Sequence, residues 1–239
     1  MANHLQEPLT TYCIQRDEEM MTMQALKIAT NLAIPMVFKA ALELGVFDTI
    51  AAMGNGAWLS SSEIADLVSK PSPPTQRRLF ETGENDLTGK TRRIYAAEPV
   101  CTLFLTRGDD SGTLMSLFML LNSQVFFKTW DNLKGVIQEG KDAFSSAHGM
   151  PLFEYIGLDE QFAVMVNHAM AESSTIIMKK ILEVYRGFED VNTLVDIGGG
   201  LGTVLNLVTS KYPQIKGINF DLTMVLANAP SYAGTVLVD

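Results

Sequence analysis

The run Asp196-Ile197-Gly198-Gly199-Gly200-Leu201-Gly202, followed by Asp221, holds the residues best suited to chemistry in this 239-residue sequence. Glycines without a Cβ let a backbone turn tightly and lie against a ligand. A helix starting just after them aims unpaired N–H groups at that ligand. An acid at the tip of the next strand accepts hydrogen bonds from a ribose. Asp221 lies 23 positions beyond Gly198, close to the ~20 of nucleotide-binding strand–helix–strand units. The dinucleotide fingerprint needs Gly or Ala at its sixth position, where this chain has Thr203. The pattern D-x-G-x-G-x-G therefore points to a ligand without a pyrophosphate, such as S-adenosylmethionine, held through Asp196, Gly198, Gly200 and Asp221. Read from these residues alone, a second interpretation stays open: an ordinary tight turn, with Asp221 as a solvated strand end.

The elements that must position this run are legible around it. Thr193–Ile197 is apolar and β-branched, as expected of a buried strand. Thr203–Lys211 reads as a helix closed by Pro213, Lys216–Phe220 as a second strand, Leu222–Asn228 as a helix and Thr235–Val238 as a third strand. Short connections make the strands parallel. Upstream the period is helical. Asp17–Phe47 carries an apolar face that Pro35 can divide. Ser60 and Glu63 have capping-box spacing before a short helix, which Pro71, Pro73 and Pro74 end. Gly83, Asn85, Asp86 and Gly89 suggest a hairpin turn leading into a strand at Thr91–Ala96. Apolar helical stretches follow near 111–139 and 151–186. Asp159 starts a periodic apolar face in the second, which reads as two helices meeting near Ser173 and Ser174. Phe162, Val166 and Met170, at i, i+4 and i+8, suit either a core stripe or a pocket wall. His148 falls in a polar stretch, and His168 on the 159–177 helix among the pocket-like positions.

Composition narrows the function classes. Apolar residues are 47% and charged residues 19%, so the chain is globular. A net charge of −9 argues against a nucleic-acid binder. One stretch departs from this: Lys70–Arg107 holds seven basic and four acidic residues, including Arg77, Arg78, Lys90, Arg92 and Arg93. Cys13 and Cys101 offer neither a disulfide framework nor metal-ligand spacing, so no metal is expected. The first residues lack the charged and apolar runs of a signal peptide, and no segment has ~18 uninterrupted apolar residues. A cytoplasmic protein without membrane contact is the expectation.

The runs LVDIGGGLG, SKYPQIKGINFDL and ANAPSY resemble the plant caffeic acid O-methyltransferase family. So do LKIATNLAIPMVFKAALELGVFDTIA, LSSSEIA, GKTRRIYAAEPVC and MKKILEVYRGFE, and the likeness covers nearly the whole chain. The resemblance implies a mainly α, winged-helix-like dimerisation domain over residues 1–110. Residues 111–239 would hold a helical connection and the start of a doubly wound, Rossmann-like α/β domain. It implies S-adenosylmethionine as cofactor, methyl transfer to a phenolic hydroxyl, phenylpropanoid-type substrates, and a homodimer or a heterodimer with a relative. Gly198 and Asp221 match the family's cofactor contacts. Asn122, Phe162 and Met170 match positions lining its phenolic pocket, and Val166 sits where the family often has Phe. Leu121 and Ile156 stand where caffeate-type relatives have Met and His, and Leu201 replaces a common Thr.

Two departures bear on activity. The family continues past the position of Asp239, and its catalytic His and the acid holding the adenine side lie there. No catalytic residue is therefore assigned here. The expectation is an O-methyltransferase by family with activity lost in this chain, or a non-catalytic dimerising protein. Residues 71–84 are polar and contain arginine where the family has a long apolar helix.

Overall fold

The computed structural model describes residues 9–54, 56–69, 94–106 and 111–239. Helices α1 (Leu9–Thr30) and α2 (Ala33–Glu43) meet at a 49° bend. Pro35 does not cause the break. It is the third residue of α2, where its missing N–H would have no intrahelical partner anyway. α1 begins earlier than the expected Asp17, because no breaker follows Pro8 until Asn31. No single described helix is long and apolar enough to cross a membrane.

α3 (Val46–Ala52) leads to β1 (Leu59–Ser60) and α4 (Ser61–Ser69). The capping box forms: Ser60 N–H donates to Glu63 Oε2 at 2.7 Å, and Glu63 N–H to Ser60 Oγ at 3.4 Å. β1 pairs antiparallel with β2 (Ile94–Tyr95), the core of the expected 91–96 strand. The expected hairpin turn, the 71–84 departure and the five basic side chains Arg77, Arg78, Lys90, Arg92 and Arg93 lie outside the described residues. A 3-10 turn over Pro99–Phe104 completes this unit.

The helical connection holds α5 (Met115–Leu121), α6 (Gln124–Asp131), α7 (Leu133–Glu139), α8 (Ala143–His148), α9 (Leu152–Leu158) and α10 (Glu160–Val184). Asp159 caps α10, accepting the Phe162 N–H at 2.9 Å. The division expected near Ser173 does not occur. Ser173 Oγ donates back to the Ala169 carbonyl at 2.5 Å and Thr175 Oγ1 to Ala171 at 2.8 Å. With these hydroxyls satisfied inside the helix, α10 runs unbroken for 25 residues. Leu120, Phe144, Phe162 and Ala169 form the buried core where α5, α8 and α10 meet.

A three-stranded parallel sheet follows, in the order β3 (Thr193–Ile197), β4 (Lys216–Phe220), β5 (Thr235–Val238). α11 (Thr203–Lys211) covers one face through Leu205 and Val208, and α12 (Thr223–Leu226) follows β4. Leu182 of α10 packs with Val208, Tyr212 and Ile215, fixing the long helix against the α/β unit. β3 is not the buried strand its composition suggests. It lies at the sheet edge among the described residues, and Val195 and Ile197 are exposed.

Candidate cofactor site

The glycine loop sits at the carboxyl ends of β3 and β4, where open parallel sheets bind ligands. Gly200 adopts φ +58°, a left-handed conformation that L side chains rarely take. Its N–H donates to Asp221 Oδ2 at 2.8 Å, and the Leu222 N–H to Asp221 Oδ1 at 2.7 Å. Both carboxylate oxygens are thereby fixed in direction. Each keeps an acceptor lone pair for a further donor, the arrangement a ribose diol needs.

Gly199 is required for space. A Cβ there would lie 2.1 Å from Asn219 Oδ1 and 2.8 Å from Asp196 Cγ. Asn219 is fully buried in β4 beneath the loop, with Nδ2 donating to the Gly200 carbonyl at 3.0 Å. Its Oδ1 has no hydrogen-bond partner among the described residues, a deficit that typically costs about 1–3 kcal/mol.

Burial pushes the Asp196 carboxyl above its ordinary range, and the charge of Asp221 pushes it the same way. Two carboxylates beside a half-closed cavity favour a cationic ligand there and oppose an anionic one.

A cavity of ≈ 590 Å³ joins this loop to α10. Asp196, Gly198, Gly199, Gly200 and Asp221 form one wall, Val166, Asn167, Met170 and Ser174 another, and Met224 and Val225 of α12 a third. A second cavity of ≈ 310 Å³ shares Gly198, Asp221 and Leu222 with the first and extends to Thr223 and Asp239. Asp221 thus stands between two compartments, as a nucleotide threaded over the strand ends would require.

All four residues expected from the glycine motif come together here, with Val166 and Met170. Phe162 does not join them. It is 4% exposed and packs in the core. Asn122 caps α5, its side-chain amide donating to the Phe118 carbonyl at 2.8 Å, and it does not line the cavity. At about 100° per residue, Phe162, Ala169 and Ser173 share one face of α10, while Asn167, Met170 and Ser174 share the next. Asn167 and Ser174 were not anticipated. Asn167 shares the Met170 face inside the helix already read, and extending the helical period through Ser173 would have brought Ser174 onto it.

Neither described histidine lines the cavity. His148 ends α8, where the sequence suggested a loop; its Nε2 lies 3.0 Å from the Val125 carbonyl and 3.2 Å from Thr129 Oγ1, and its ring packs on Phe144. His168 is mostly exposed, 3.9 Å from Glu172.

A glycine loop on a parallel βαβ unit, preceded by a small helical domain, is a framework on which nucleotide-binding α/β proteins are built. Two family models match the chain: an O-methyltransferase dimerisation domain over residues 26–107 and an O-methyltransferase domain over residues 130–237. An indole glucosinolate O-methyltransferase of Arabidopsis thaliana is 46% identical over 95% of this chain, which spans 65% of that relative. A caffeic acid 3-O-methyltransferase of Catharanthus roseus is 40% identical over 92% of the chain, which spans 64% of it. The structure of human N-acetylserotonin methyltransferase in complex with SAM superposes with a TM-score of 0.67 at 18% identity, over 100% of this chain and 67% of that one. That likeness shows the fold. The chain belongs to the plant O-methyltransferase family that includes the first two relatives, and spans about 65% of their length.

Proposed function

We propose that this chain holds S-adenosylmethionine across the ends of β3 and β4 and presents a phenolic hydroxyl to it in the cavity beside α10. The cofactor supplies a methyl group on a sulfonium, transferred to the phenolic oxygen. Asp221 takes the ribose hydroxyls, and Gly198 and Gly200 let the backbone lie against the nucleoside. Asp196 places negative charge near the cationic end. Val166 and Met170 form the apolar wall for a phenylpropanoid-type ring, with Asn122 and Phe162 supporting that wall from the adjoining core. The carrying observation is the single cavity that joins Asp196, Gly200 and Asp221 to Val166 and Met170.

The charge around this cavity bears on the transfer step. A phenol has a pKa of about 10, and a positioned general base typically contributes ~10²–10⁴-fold at neutral pH. Among the described residues, Asp196 and Asp221 are the titratable side chains lining the cavity. Their charge suits a sulfonium and opposes a phenolate. The proposal is a cofactor-binding protein of this family that takes caffeate-type phenols. Calorimetry with S-adenosylhomocysteine tests it. Asp221→Ala should weaken binding at least tenfold, about the worth of a hydrogen bond to a charged group. No heat from the unsubstituted chain at millimolar ligand would overturn the reading.

A second reading rests on the first helices. Met20, Met23, Leu26, Ile28, Ile34 and Val37 are all more than half exposed, a concentration of exposed apolar side chains of the kind that marks an interface. We propose that residues 1–110 form the dimerisation domain and that the chain pairs through 17–50 and 111–186 with a second copy or a longer relative. Sedimentation velocity at tens of micromolar checks this, and a single monomeric boundary would exclude it.

A further inference from the structure

We infer that Asn219 is a positioning residue of the cofactor site, a latch beneath the glycine loop that holds Gly200 so that Gly200 in turn orients Asp221. The inference rests on reading the loop as the S-adenosylmethionine site.

Gly200 is gripped from two sides. Its carbonyl accepts from Asn219 Nδ2 at 3.0 Å and its N–H donates to Asp221 Oδ2 at 2.8 Å. With φ at +58° it lies outside helix and strand, so these two bonds hold Gly200, while the Gly198 N–H to the Phe220 carbonyl and the Gly202 N–H to the Gly199 carbonyl hold its neighbours. Asn219 is fully buried and shares the α11 side of β4 with Gly217, against which Leu205 packs. An apolar side chain would suit that interface. An amide there leaves Oδ1 unpaired, so packing alone does not explain the residue; the bond to Gly200 does. The opposite orientation of the amide would set Oδ1 against the Gly200 carbonyl, two acceptors face to face, so the donor assignment is secure. Gly199 completes the latch, because a Cβ there would collide with Asn219 Oδ1. The loop can close on Asn219 only with glycine at that position.

Two readouts separate a latch from a packing residue. Amide hydrogen exchange on the free chain should find Gly200 protected, and Asn219→Leu should speed its exchange at least tenfold while the melting temperature holds. The same variant should weaken S-adenosylhomocysteine about tenfold, the worth of one net hydrogen bond. Asn219→Asp, close in size, covers the case in which leucine fails to fit. Near neutral pH a carboxylate beside Asp196 and Asp221 cannot donate to Gly200. Once protonated it can, so its affinity relative to the unsubstituted chain should recover on acidification. Unchanged Gly200 exchange in Asn219→Leu, or an Asn219→Asp deficit that persists at every pH, overturns the latch. If the unsubstituted chain fails to bind S-adenosylhomocysteine, the cofactor reading falls while exchange at Gly200 still decides the latch.

Discussion

Lys39 Nζ donates to the Asn122 carbonyl at 2.8 Å, tying α2 to the end of α5 across 83 residues of sequence. The neighbouring Phe38 ring adds contacts to Phe47, Phe104 and Phe118, with centroids 4.9–5.1 Å away. The N-terminal helices and the helical connection are thus joined by a charge-assisted bond beside an aromatic cluster. Lys39→Met keeps the apolar stem and removes the donor, and should cost about 1–2 kcal/mol of unfolding free energy. Phe38→Ala should cost more, about 2–4 kcal/mol, because three ring contacts go with it. Urea titrations of the two variants give the ordering, and a greater loss for Lys39→Met would show that the cluster is not the joint.

The Asp196 carboxyl gives a pH signature. Its folded pKa is raised by burial and then by Asp221, so the folded state holds a proton that the unfolded state has already released. Stability on this account is full below the ordinary Asp value of about 3.9 and declines as pH rises from there through the raised folded value. Asp196→Asn should therefore raise the melting temperature at neutral pH, with the advantage fading on acidification. The same change should weaken S-adenosylmethionine, a cation, more than S-adenosylhomocysteine, whose sulfur is neutral. Equal weakening of both ligands would remove Asp196 from the neighbourhood of the sulfonium.

The capping box offers a local test. Ser60 and Glu63 exchange hydrogen bonds at the start of α4, and Ser60 is 2% exposed. Ser60→Ala should cost about 1–2 kcal/mol, and Glu63→Gln, which retains an acceptor, less. Thermal unfolding followed by circular dichroism distinguishes them. Equal losses would mean that the Glu63 charge, rather than the reciprocal bonds, stabilises the turn.

Most of the α/β unit was legible to the residue because its signals are local: the bounds of β3, α11, β4 and β5 are those expected, while α12 is shorter than the expected Leu222–Asn228. Glycines and Pro213 punctuate it, and β3 and β5 are short β-branched runs. Ser173 misled for a physical reason. Serine disfavours a helix interior only when its hydroxyl competes for the backbone, and here the Ala169 carbonyl satisfies it. The run Thr193–Ile197 alone did not show which side chains of β3 are exposed, since an apolar strand reads the same at the edge of a sheet as in its middle. Asn219 escaped notice because one buried amide in a strand has no pattern. Only the glycine pressed against it makes it conspicuous.

Phe162, Val166 and Met170 posed the sharpest ambiguity, core stripe or pocket wall, and α10 divides them. Phe162 is buried among Phe126, Phe144 and Tyr155, Met170 is 47% exposed at the cavity, and Val166 touches both. Phe162→Ala should therefore cost about 3–5 kcal/mol of stability. Met170→Ala should cost less than about 1 kcal/mol, since its side chain is already half in solvent. Ligand affinity should move the other way. Met170→Ala should weaken a phenolic ligand severalfold by removing apolar contact area, while the folded fraction of Phe162→Ala binds it almost normally. Val166→Phe restores the bulk common in the family and should narrow the cavity, discriminating against the larger of two phenols. Binding measured below each variant's melting transition keeps the two effects apart. A Met170→Ala variant with full affinity and a large stability loss would place the phenolic pocket on another face of α10.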